Sequence, residues 1–276
     1  MSIKLIALDM DKTTLRSDGT LSDFTRETFR TAADEGIHII IATGRTLCAL
    51  PKDVLEVEGI HYALTSNGAA IVDLVSGETI YKNYISPDAV EDVAELLKNY
   101  SFSIEVFFDG KAYIDKKTFD IIKERNRDDF VTKYILSTRE PKEDIISCML
   151  ENRNSIENIN VNFENREDKE MMRPLLEGIK NVTITTSLAR NLEVGGKTTS
   201  KGTALTELCG ILGIRKEETM AAGDSPNDAA LLLASGFPVA VANATDDVKE
   251  IAAYITDSNN DDGVAKAIRK FALKKS

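Results

Sequence analysis

Short apolar runs, each followed directly by polar residues, constrain the fold of this 276-residue chain more than any other sequence feature. Uninterrupted apolar runs of this length are typical of strands that are buried on both faces of a parallel sheet. Segments with helical periodicity lie between them: Ser22 can cap a helix that runs to about Glu35, and Lys201–Leu212 shows the same period. The order strand, helix, strand predicts an α/β fold with a parallel sheet. The runs that carry this prediction are Ile3–Leu8, Ile37–Ala42, Tyr62–Thr65, Thr219–Ala222 and Phe237–Ala242.

The middle of the chain, residues 84–190, has a different pattern. Pro87 opens an amphipathic helix, and the pair Asp109-Gly110 between two apolar runs predicts a β-hairpin. Further helical and strand-like segments follow as far as Thr186. We therefore expect an inserted α/β domain with partly antiparallel pairing over residues 84–190. Residues 1–83 and 191–276 would form the core domain around the parallel sheet.

Charge and hydropathy argue against several classes of protein. The formal net charge of −11 disfavours a general nucleic-acid surface, and it means that an anionic ligand must be met by local cations. Three cysteines, none of them in a C-x-x-C pair, favour reduced thiols over a disulfide or zinc framework. The first apolar run is too short for a signal peptide, and no apolar stretch reaches the ~18 residues of a membrane span. We expect a cytoplasmic protein that binds neither nucleic acid nor membrane.

The polar residues that follow the predicted strands are expected to form one site. In an open parallel sheet, ligands bind at the carboxyl ends of the strands, so clusters that are distant in sequence meet at one edge. Asp9 and Asp224 are 224 − 9 = 215 positions apart, yet each follows a predicted strand of the same sheet. The clusters are Asp9, Asp11 and Thr13; Thr43, Gly44 and Arg45; Ser66 and Asn67; and Asp224, Asn227 and Asp228.

The residue types in these clusters suit phosphate chemistry. Asp9, Asp11 and Asp224 offer the hard oxygen ligands that Mg²⁺ prefers, and two neighbouring carboxylates can act as nucleophile and as acid–base. A D-x-D segment is also a common loop start, so the first cluster by itself leaves both interpretations open. Arg45 and Lys201 supply positive charge at the same edge, the latter at a helix N-terminus. Either residue alone would be interpreted as a solvated surface charge, but their shared position favours binding of a phosphorylated ligand.

The ordered motifs resemble the haloacid dehalogenase-like superfamily, and more narrowly the Cof-type sugar-phosphate phosphatases. The resemblance covers nearly the whole chain in order and spacing, although the insert is matched only in length and coarse pattern. It implies a Rossmann-like core with an inserted α/β cap domain, which we expect to act as a mobile lid that selects substrates. The matching segments are Asp9-x-Asp11-x-Thr13, Ala42-Thr43-Gly44-Arg45, Ser66-Asn67-Gly68-Ala69, Ser200-Lys201-Gly202, Gly223-Asp224-x-x-Asn227-Asp228, Val241-Ala242-Asn243-Ala244 and Asp261-Asp262-Gly263-Val264-Ala265.

The resemblance also implies roles for individual residues. Asp9 would be the nucleophile that forms an aspartyl-phosphate. Asp11 would protonate the leaving group and then accept a proton from the attacking water. Mg²⁺ would bind Asp9, the backbone carbonyl of Asp11 and Asp224, with Asp228 accepting hydrogen bonds behind them. Thr43 and Lys201 would hold the phosphoryl oxygens. The complete set of substrate-binding residues would be Thr43, Gly44, Arg45, Asn67, Lys201 and Asn227.

Some alternatives stay open. Lys12 stands where the family usually has glycine, and its side chain either points to solvent or adds a cation near the leaving group. A phosphomutase on the same scaffold would carry the same motifs, whereas a non-enzymatic sugar-phosphate sensor would not need Asp11. A nicotinamide dehydrogenase would need G-x-G-x-x-G after the first strand, which this sequence lacks. We favour a Mg²⁺-dependent phosphatase of small phosphorylated metabolites, such as sugar phosphates or similar monoesters, that is a monomer or a weak homodimer.

Overall fold

The computed structural model describes residues 2–274, which divide into two compact units. The first unit contains the chain up to Arg45, Leu50–Lys82, and the chain from Ser200 onwards. The second unit contains Thr46–Ala49 and Asn83–Thr199. The predicted core limits of 1 and 276 fall on residues that lie outside the described part of the chain, as does residue 275.

The strands of both units belong to two sheets. They are β1 (Leu5–Leu8), β2 (His38–Ala42), β3 (Ile60–Thr65), β4 (Ala70–Asp73), β5 (Thr79–Lys82), β6 (Ser103–Phe108), β7 (Lys111–Asp115), β8 (Arg139–Lys142), β9 (Ile156–Asn162), β10 (Val182–Thr185), β11 (Asn191–Gly196), β12 (Thr219–Gly223), β13 (Phe237–Ala240) and β14 (Tyr254–Ile255).

The helices are all of modest length. Within residues 2–274, none is long and apolar enough to cross a membrane. They are α1 (Asp23–Asp34), α2 (Lys52–Leu55), α3 (Pro87–Leu97), α4 (Lys116–Arg125), α5 (Phe130–Thr138), α6 (Ile145–Glu151), α7 (Arg166–Glu177), α8 (Lys201–Leu212), α9 (Ala229–Ala234), α10 (Asp246–Ile251) and α11 (Gly263–Phe271).

The sheet of the first unit has the strand order β14-β13-β12-β1-β2-β3-β4-β5. The strands from β14 to β3 pair in parallel, and β4 and β5 add an antiparallel edge. β1 lies between β12 and β2, and all four of its residues are buried, as its uninterrupted apolar run predicts. The predicted fold class, an α/β protein with a Rossmann-like parallel core, is confirmed.

Serine caps fix the starts of two helices in this unit. The hydroxyl of Ser22 accepts a hydrogen bond from the backbone N–H of Thr25, so α1 begins where the sequence predicts. Ser200 caps α8 in the same way through the N–H of Thr203. Because Ser200 is the cap, Lys201 is the first residue of α8 and lies at its N-terminal end.

The second unit is built on a six-stranded sheet of order β10-β11-β9-β6-β7-β8. All pairings are antiparallel except that of β7 with β8. The predicted hairpin joins β6 to β7, with φ of 51° at Asp109 and 70° at Gly110, the left-handed values that two-residue hairpin turns favour. One face of the sheet packs in an apolar cluster with α3, α6 and α7, to which Val106, Ile159 and Val194 contribute.

The opposite face of this second sheet is partly polar. Glu105, Asn160 and Glu193 are opposite one another on β6, β9 and β11, and alternation along each strand directs them away from the apolar cluster. All three are buried. Arg139 neutralises Glu105 through a buried ion pair at 2.9 Å. Phe107 and Ile114 lie on the same face, so the polar residues form one part of it, and this part is suited to bind polar groups.

Three stretches that were predicted to belong to the core lie in the second unit: Thr46–Ala49, Asn83 and residues 191–199. Residues 191–196 were assigned to the core, but they form β11, which pairs with β9 and β10 in the second unit. The physical reason is the burial of Leu192 and Val194 in the apolar cluster of that unit. The unit therefore extends to Thr199 and not to Arg190.

Candidate active site

Asp9 lies directly after β1, at the carboxyl end of the strand. Its backbone N–H donates to the carbonyl of Ala222 at 3.0 Å, so the pairing of β1 with β12 continues through Asp9. Asp224 follows the end of β12, and each of these two aspartates is only 6% exposed. The neighbouring strand ends thus bring two buried carboxylates together, as expected for an open parallel sheet.

One ammonium group lies among the buried carboxylates. Lys201 is completely buried, and its Nζ donates to Asp9 Oδ1 and to Asp228 Oδ1, each at 2.6 Å. Burial alone would lower the pKa of Lys201, but the two carboxylates outweigh burial and hold this pKa above its usual value. Lys201 is therefore a permanent positive charge inside the site.

Asp228 supports the site from behind. Its Oδ1 accepts from Lys201, and its Oδ2 accepts from the backbone N–H groups of Asp224 and Ser225 at 2.9 and 3.1 Å. Both oxygens are thus occupied. Asp228 orients Lys201 and the backbone that carries Asp224, which is the supporting position that the sequence analysis expected.

The remaining carboxylate oxygens can hold a divalent cation. One oxygen from each of Asp9, Asp224 and Asp228 lies within 4.8 Å of the others. Lys201 engages Oδ1 of Asp9, and the hydroxyl of Thr13 donates to Oδ1 of Asp224 at 3.1 Å. Oδ2 of Asp9 and Oδ2 of Asp224 accept no hydrogen bond from any described residue. Oxygens without a hydrogen bond on two neighbouring buried aspartates are a donor set that fits a hard cation.

The raised pKa values of the buried carboxylates, like their geometry, favour a bound divalent cation. Burial raises the pKa of Asp9 well above its usual range, and repulsion from Asp228 and Asp224 adds to this, while Lys201 opposes it. Burial and then Asp228 raise the pKa of Asp224 to about 6, against the hydrogen bond from Thr13. Three carboxylates share a single ammonium, so a bound divalent cation would relieve their repulsion and favour the ionised forms.

Removing the ammonium is expected to destabilise the fold strongly. In the variant Lys201→Met, Asp9 and Asp228 lose their buried partner, and breaking a buried pair of this kind costs about 3–5 kcal/mol. We expect this loss in chelator at pH 8, measured as the change in the free energy of unfolding in urea. The matched control is Lys266→Met, which breaks an exposed, solvent-screened pair with Asp257 and should change stability little.

The same variant should recover stability in mild acid. The raised pKa of Asp224, about 6, lies above the ~3.9 of an unfolded aspartate, so the folded state binds its proton first as the pH falls. Carboxylate repulsion is therefore lost, and stability gained, between about pH 6 and pH 4. Equal destabilisation by the Lys201 and Lys266 variants, or a deficit that does not change with pH, would contradict this account of the site.

Asp11 is held by Arg45. The guanidinium contacts both carboxylate oxygens, with Nε to Oδ2 at 2.8 Å and Nη2 to Oδ1 at 2.6 Å. The Arg45 side chain is buried, whereas half of the Asp11 side chain is exposed. The sequence analysis expected Arg45 to contact the substrate, and the structure places its guanidinium on Asp11. The pair therefore forms a rigid, planar contact at the rim of the site.

The segment that carries Asp11 is a wide turn, Met10–Thr14. Lys12 has φ of 61°, a left-handed conformation that is uncommon for a residue other than glycine. This explains the position at which the family usually has glycine. The hydroxyl of Thr14 donates to the carbonyl of Asp9 at 2.6 Å, and the N–H of Leu15 donates to the carbonyl of Met10, which closes the turn.

The remaining predicted residues form a second polar group. The N–H of Arg45 donates to the hydroxyl of Thr43, and the N–H of Asn67 donates to the carbonyl of Thr43. The amide of Asn227 donates to Oδ1 of Asn67 at 3.0 Å. A Cβ on Gly44 would lie only 3.2 Å from that same Oδ1, so the absence of a side chain at 44 makes room for Asn67.

Backbone strain marks the turn after β3. Ser66, Asn67 and Gly68 have φ of 49°, 58° and 90°, three left-handed residues in succession. Such conformations cost about 1–3 kcal/mol each for residues other than glycine and tend to occur at functional sites. A Cβ on Gly68 would lie 2.3 Å from the carbonyl oxygen of Ser200, so this turn packs directly against the start of α8.

The structure thus brings the sequence-predicted residues into three groups: Asp9, Lys201, Asp224 and Asp228; Asp11 and Arg45; and Thr43, Gly44, Asn67 and Asn227. Residues for which the sequence analysis gave no role also touch the site. Asn243 and Asn259 contact the turn that carries Asp11, and Thr245 contacts Asp224. Asn243 stands in one of the motif segments, which was the only signal for it. One partner of the Asn243 side chain, the carbonyl of Lys12, is 231 positions away.

Comparison with known proteins agrees with this arrangement. A sequence profile of the haloacid dehalogenase-like hydrolases matches residues 6–268. Two Bacillus subtilis proteins, each named 5-amino-6-(5-phospho-D-ribitylamino)uracil phosphatase, are 31% and 29% identical to this chain; the alignments cover 99% and 95% of it and 97% and 96% of the relatives. The solved structure of a haloacid dehalogenase-like hydrolase from B. subtilis has a TM-score of 0.84 at 28% identity, covering 98% of this chain and 100% of that one.

This chain therefore belongs to the haloacid dehalogenase-like hydrolase family. Its candidate active site has a buried aspartate at the end of a central parallel strand, beside a buried lysine and two further aspartates. Within the family it is a phosphatase of the Cof type, so the resemblance drawn from the motifs is confirmed. Its reaction is the hydrolysis of phosphate monoesters.

Proposed function

We propose that this phosphatase hydrolyses small phosphorylated metabolites, such as sugar phosphates or similar monoesters, through an aspartyl-phosphate on Asp9 with Mg²⁺ as cofactor. The observation that carries the proposal is the state of the Asp9 carboxylate: Lys201 fixes Oδ1, Oδ2 accepts no hydrogen bond from a described residue, and a carboxylate oxygen of Asp224 lies within 4.8 Å of one of Asp9. An oriented carboxylate with one free oxygen is what a nucleophile in covalent catalysis requires.

The first step is attack on phosphorus. Oδ2 of Asp9 forms the new O–P bond, the bond from phosphorus to the ester oxygen breaks, and Asp11 gives its proton to that oxygen. Lys201 and Thr43 hold the phosphoryl oxygens. Mg²⁺, bound by Asp9, the backbone carbonyl of Asp11 and Asp224, would neutralise charge between the carboxylate and the phosphoryl group.

The second step returns the enzyme to its starting state. Water attacks the phosphorus of the aspartyl-phosphate, its proton goes to Asp11, and the bond from phosphorus to Asp9 breaks to release inorganic phosphate. Arg45 donates to both oxygens of Asp11, so a protonated Asp11 must give up one of those two hydrogen bonds. The Arg45 contact therefore fixes the position from which Asp11 delivers its proton.

The second unit would act as the lid that selects the substrate. Its polar sheet face supports this assignment, and one residue on that face is informative. Asn158 is 1% exposed, and its Oδ1 has no hydrogen-bond partner among residues 2–274. A buried acceptor without a donor costs about 1–3 kcal/mol, and such a cost favours a functional role for this face of the sheet. Asn67 and Arg45 would contact the substrate from the core.

Phosphate release from a panel of esters tests the proposed function. We expect Mg²⁺-dependent release, with hydroxyl-rich esters preferred over a plain aryl phosphate; the panel should include the phosphoribitylamino-uracil after which the two B. subtilis relatives are named. Replacing the second unit by a short Gly/Ser linker should leave weak Mg²⁺-dependent release from the aryl phosphate and abolish the preference among the other esters.

Two outcomes would count against the proposal. If no ester is hydrolysed with Mg²⁺ present, the proposed cofactor or the substrate class is wrong. If the protein with the linker is folded and ranks the esters as the unmodified protein does, specificity does not depend on the second unit. Transfer of the phosphoryl group to a second sugar hydroxyl instead of water would indicate a phosphomutase. We further propose that the protein is a monomer or a weak homodimer.

A further inference from the structure

Asn243 connects the loop after β13 to the turn that carries Asp11. Its Nδ2 donates to the carbonyl oxygen of Lys12 at 2.8 Å, and its Oδ1 accepts from the backbone N–H of Asn259 at 3.0 Å. The orientation of the amide is determined by these partners, because a carbonyl can only accept and a backbone N–H can only donate. Asn243 therefore links two segments that are each distant from it in sequence.

Asn259 holds the other end of the same turn. Its side chain is buried, and its Nδ2 donates to the carbonyl of Leu15 at 2.9 Å. The carbonyl of Lys12 is thus held by Asn243, and that of Leu15 by Asn259. We call Asn243 and Asn259 the amide clamp. It contacts the backbone at Lys12, immediately after Asp11, and at Leu15, directly after the Met10–Thr14 turn.

The turn needs such a clamp because its conformation is strained. Lys12 has φ of 61°, and a left-handed residue other than glycine persists only where the surroundings impose it. The side chain of Asp11 is half exposed, so burial contributes little to fixing it. Loss of the hydrogen bond to the Lys12 carbonyl would let residue 12 relax, and Asp11, the preceding residue, would move with it.

The loop that contains Asn243, residues 241–245, also contacts the backbone near the proposed metal ligand Asp224. The backbone N–H of Thr245 donates to the carbonyl of Asp224 at 2.9 Å, and the N–H of Val241 donates to the carbonyl of Gly223 at 3.4 Å. The five residues from Val241 to Thr245 thus touch both the turn that carries Asp11 and the loop that carries Asp224. A shift in this segment would change the distance between the proposed acid–base and the phosphoryl group.

From these contacts we propose that Asn243 is a positioning residue for the acid–base step, acting on Asp11 through the carbonyl of Lys12. The inference rests on the proposed function, since it assumes that Asp11 delivers a proton to the leaving oxygen. Asn243 does not touch the substrate in this account. Its contribution is to hold the carboxylic acid within hydrogen-bonding reach of the ester oxygen, and a displacement of about 1 Å there can cost about 100-fold in rate.

The test compares two esters that differ in their need for a proton. An alkyl phosphate loses an alkoxide and requires protonation, whereas 4-nitrophenyl phosphate loses a stable anion that leaves unaided. In Asn243→Ala we expect kcat/KM for the alkyl ester to fall about 10–100-fold and that for the aryl ester to fall less than about threefold. Asn243→Asp keeps the size and the acceptor but loses the donor, and it should show the same pattern. Asp11→Asn provides the reference pattern.

Matched controls come from the neighbouring residue Asn260, whose side chain contacts Ser17 and not the Met10–Thr14 turn. Asn260→Ala and Asn260→Asp should leave both rates unchanged. Asn243 is exposed, so its replacement should change the unfolding midpoint little. Equal losses for the two esters, or no loss, in both Asn243 variants would overturn the inference. If the unmodified protein with Mg²⁺ cleaves neither ester, the proposed function itself fails.

Discussion

Replacing Asp9 by asparagine is expected to abolish turnover. The amide oxygen of asparagine is a poor nucleophile, and no aspartyl-phosphate can form, so kcat should fall by at least about 10⁴-fold, the scale of losses seen when a catalytic nucleophile is removed. The measurement is steady-state phosphate release on the best ester of the panel. Acid-quenched reactions with labelled substrate should trap phosphate on the unmodified protein and none on the variant.

The loss should not reflect unfolding. The pKa of Asp9 is raised because burial and two neighbouring carboxylates disfavour its charge, so a neutral isostere relieves repulsion. We expect the metal-free Asp9→Asn protein to unfold at a temperature no lower than the unmodified protein. Asp34→Asn, at the exposed end of α1, is the matched control and should retain full activity. Near-normal turnover in Asp9→Asn would exclude Asp9 as the nucleophile.

The second large effect is expected from the metal site. Asp224→Asn removes one of the two free carboxylate oxygens, and we expect the Mg²⁺ concentration for half-maximal activity to rise by at least about 100-fold. Excess chelator should silence the unmodified enzyme, and added Mg²⁺ should restore it. Ca²⁺ should bind but support little activity, because its larger and looser coordination misplaces the nucleophile against phosphorus.

The control for this prediction is Asp247→Asn, an exposed carboxylate in the first turn of α10. It should leave the Mg²⁺ activation curve unchanged, which separates loss of a ligand from loss of one negative charge. Full activity of the unmodified enzyme in excess chelator would rule out the metal assignment. An unchanged activation curve in Asp224→Asn would rule out Asp224 as a ligand.

The sequence predicts which site residues lie directly after a strand, and it predicts that these residues meet at one edge of the sheet. Asp9 and Asp224 each follow an apolar run that is buried in the sheet, and parallel pairing of β1 with β12 places both at one edge. The helix start at Lys201 could be predicted for a similar reason, because Ser200 is a typical cap. These inferences depend only on local patterns and on one general rule about where parallel strands end.

Other features depend on contacts that a local pattern does not encode. Arg45 donates to both oxygens of Asp11, a contact that follows from side-chain geometry across two loops. The amide clamp joins segments more than 200 positions apart. Residues 191–196 pair with β9 and β10 in the second sheet, although their sequence is equally compatible with a strand of the core. Tertiary pairing decided each of these cases.

The position of Lys201 has a consequence for the order in which ligands bind. When all three buried carboxylates are ionised, they and the one ammonium leave an excess of two negative charges (3 − 1 = 2). An empty site of this charge repels a phosphate dianion. One divalent ion neutralises the excess negative charge, whereas a second ion would leave the site with a net positive charge. We therefore expect one metal ion per site, and we expect the metal to bind before the substrate.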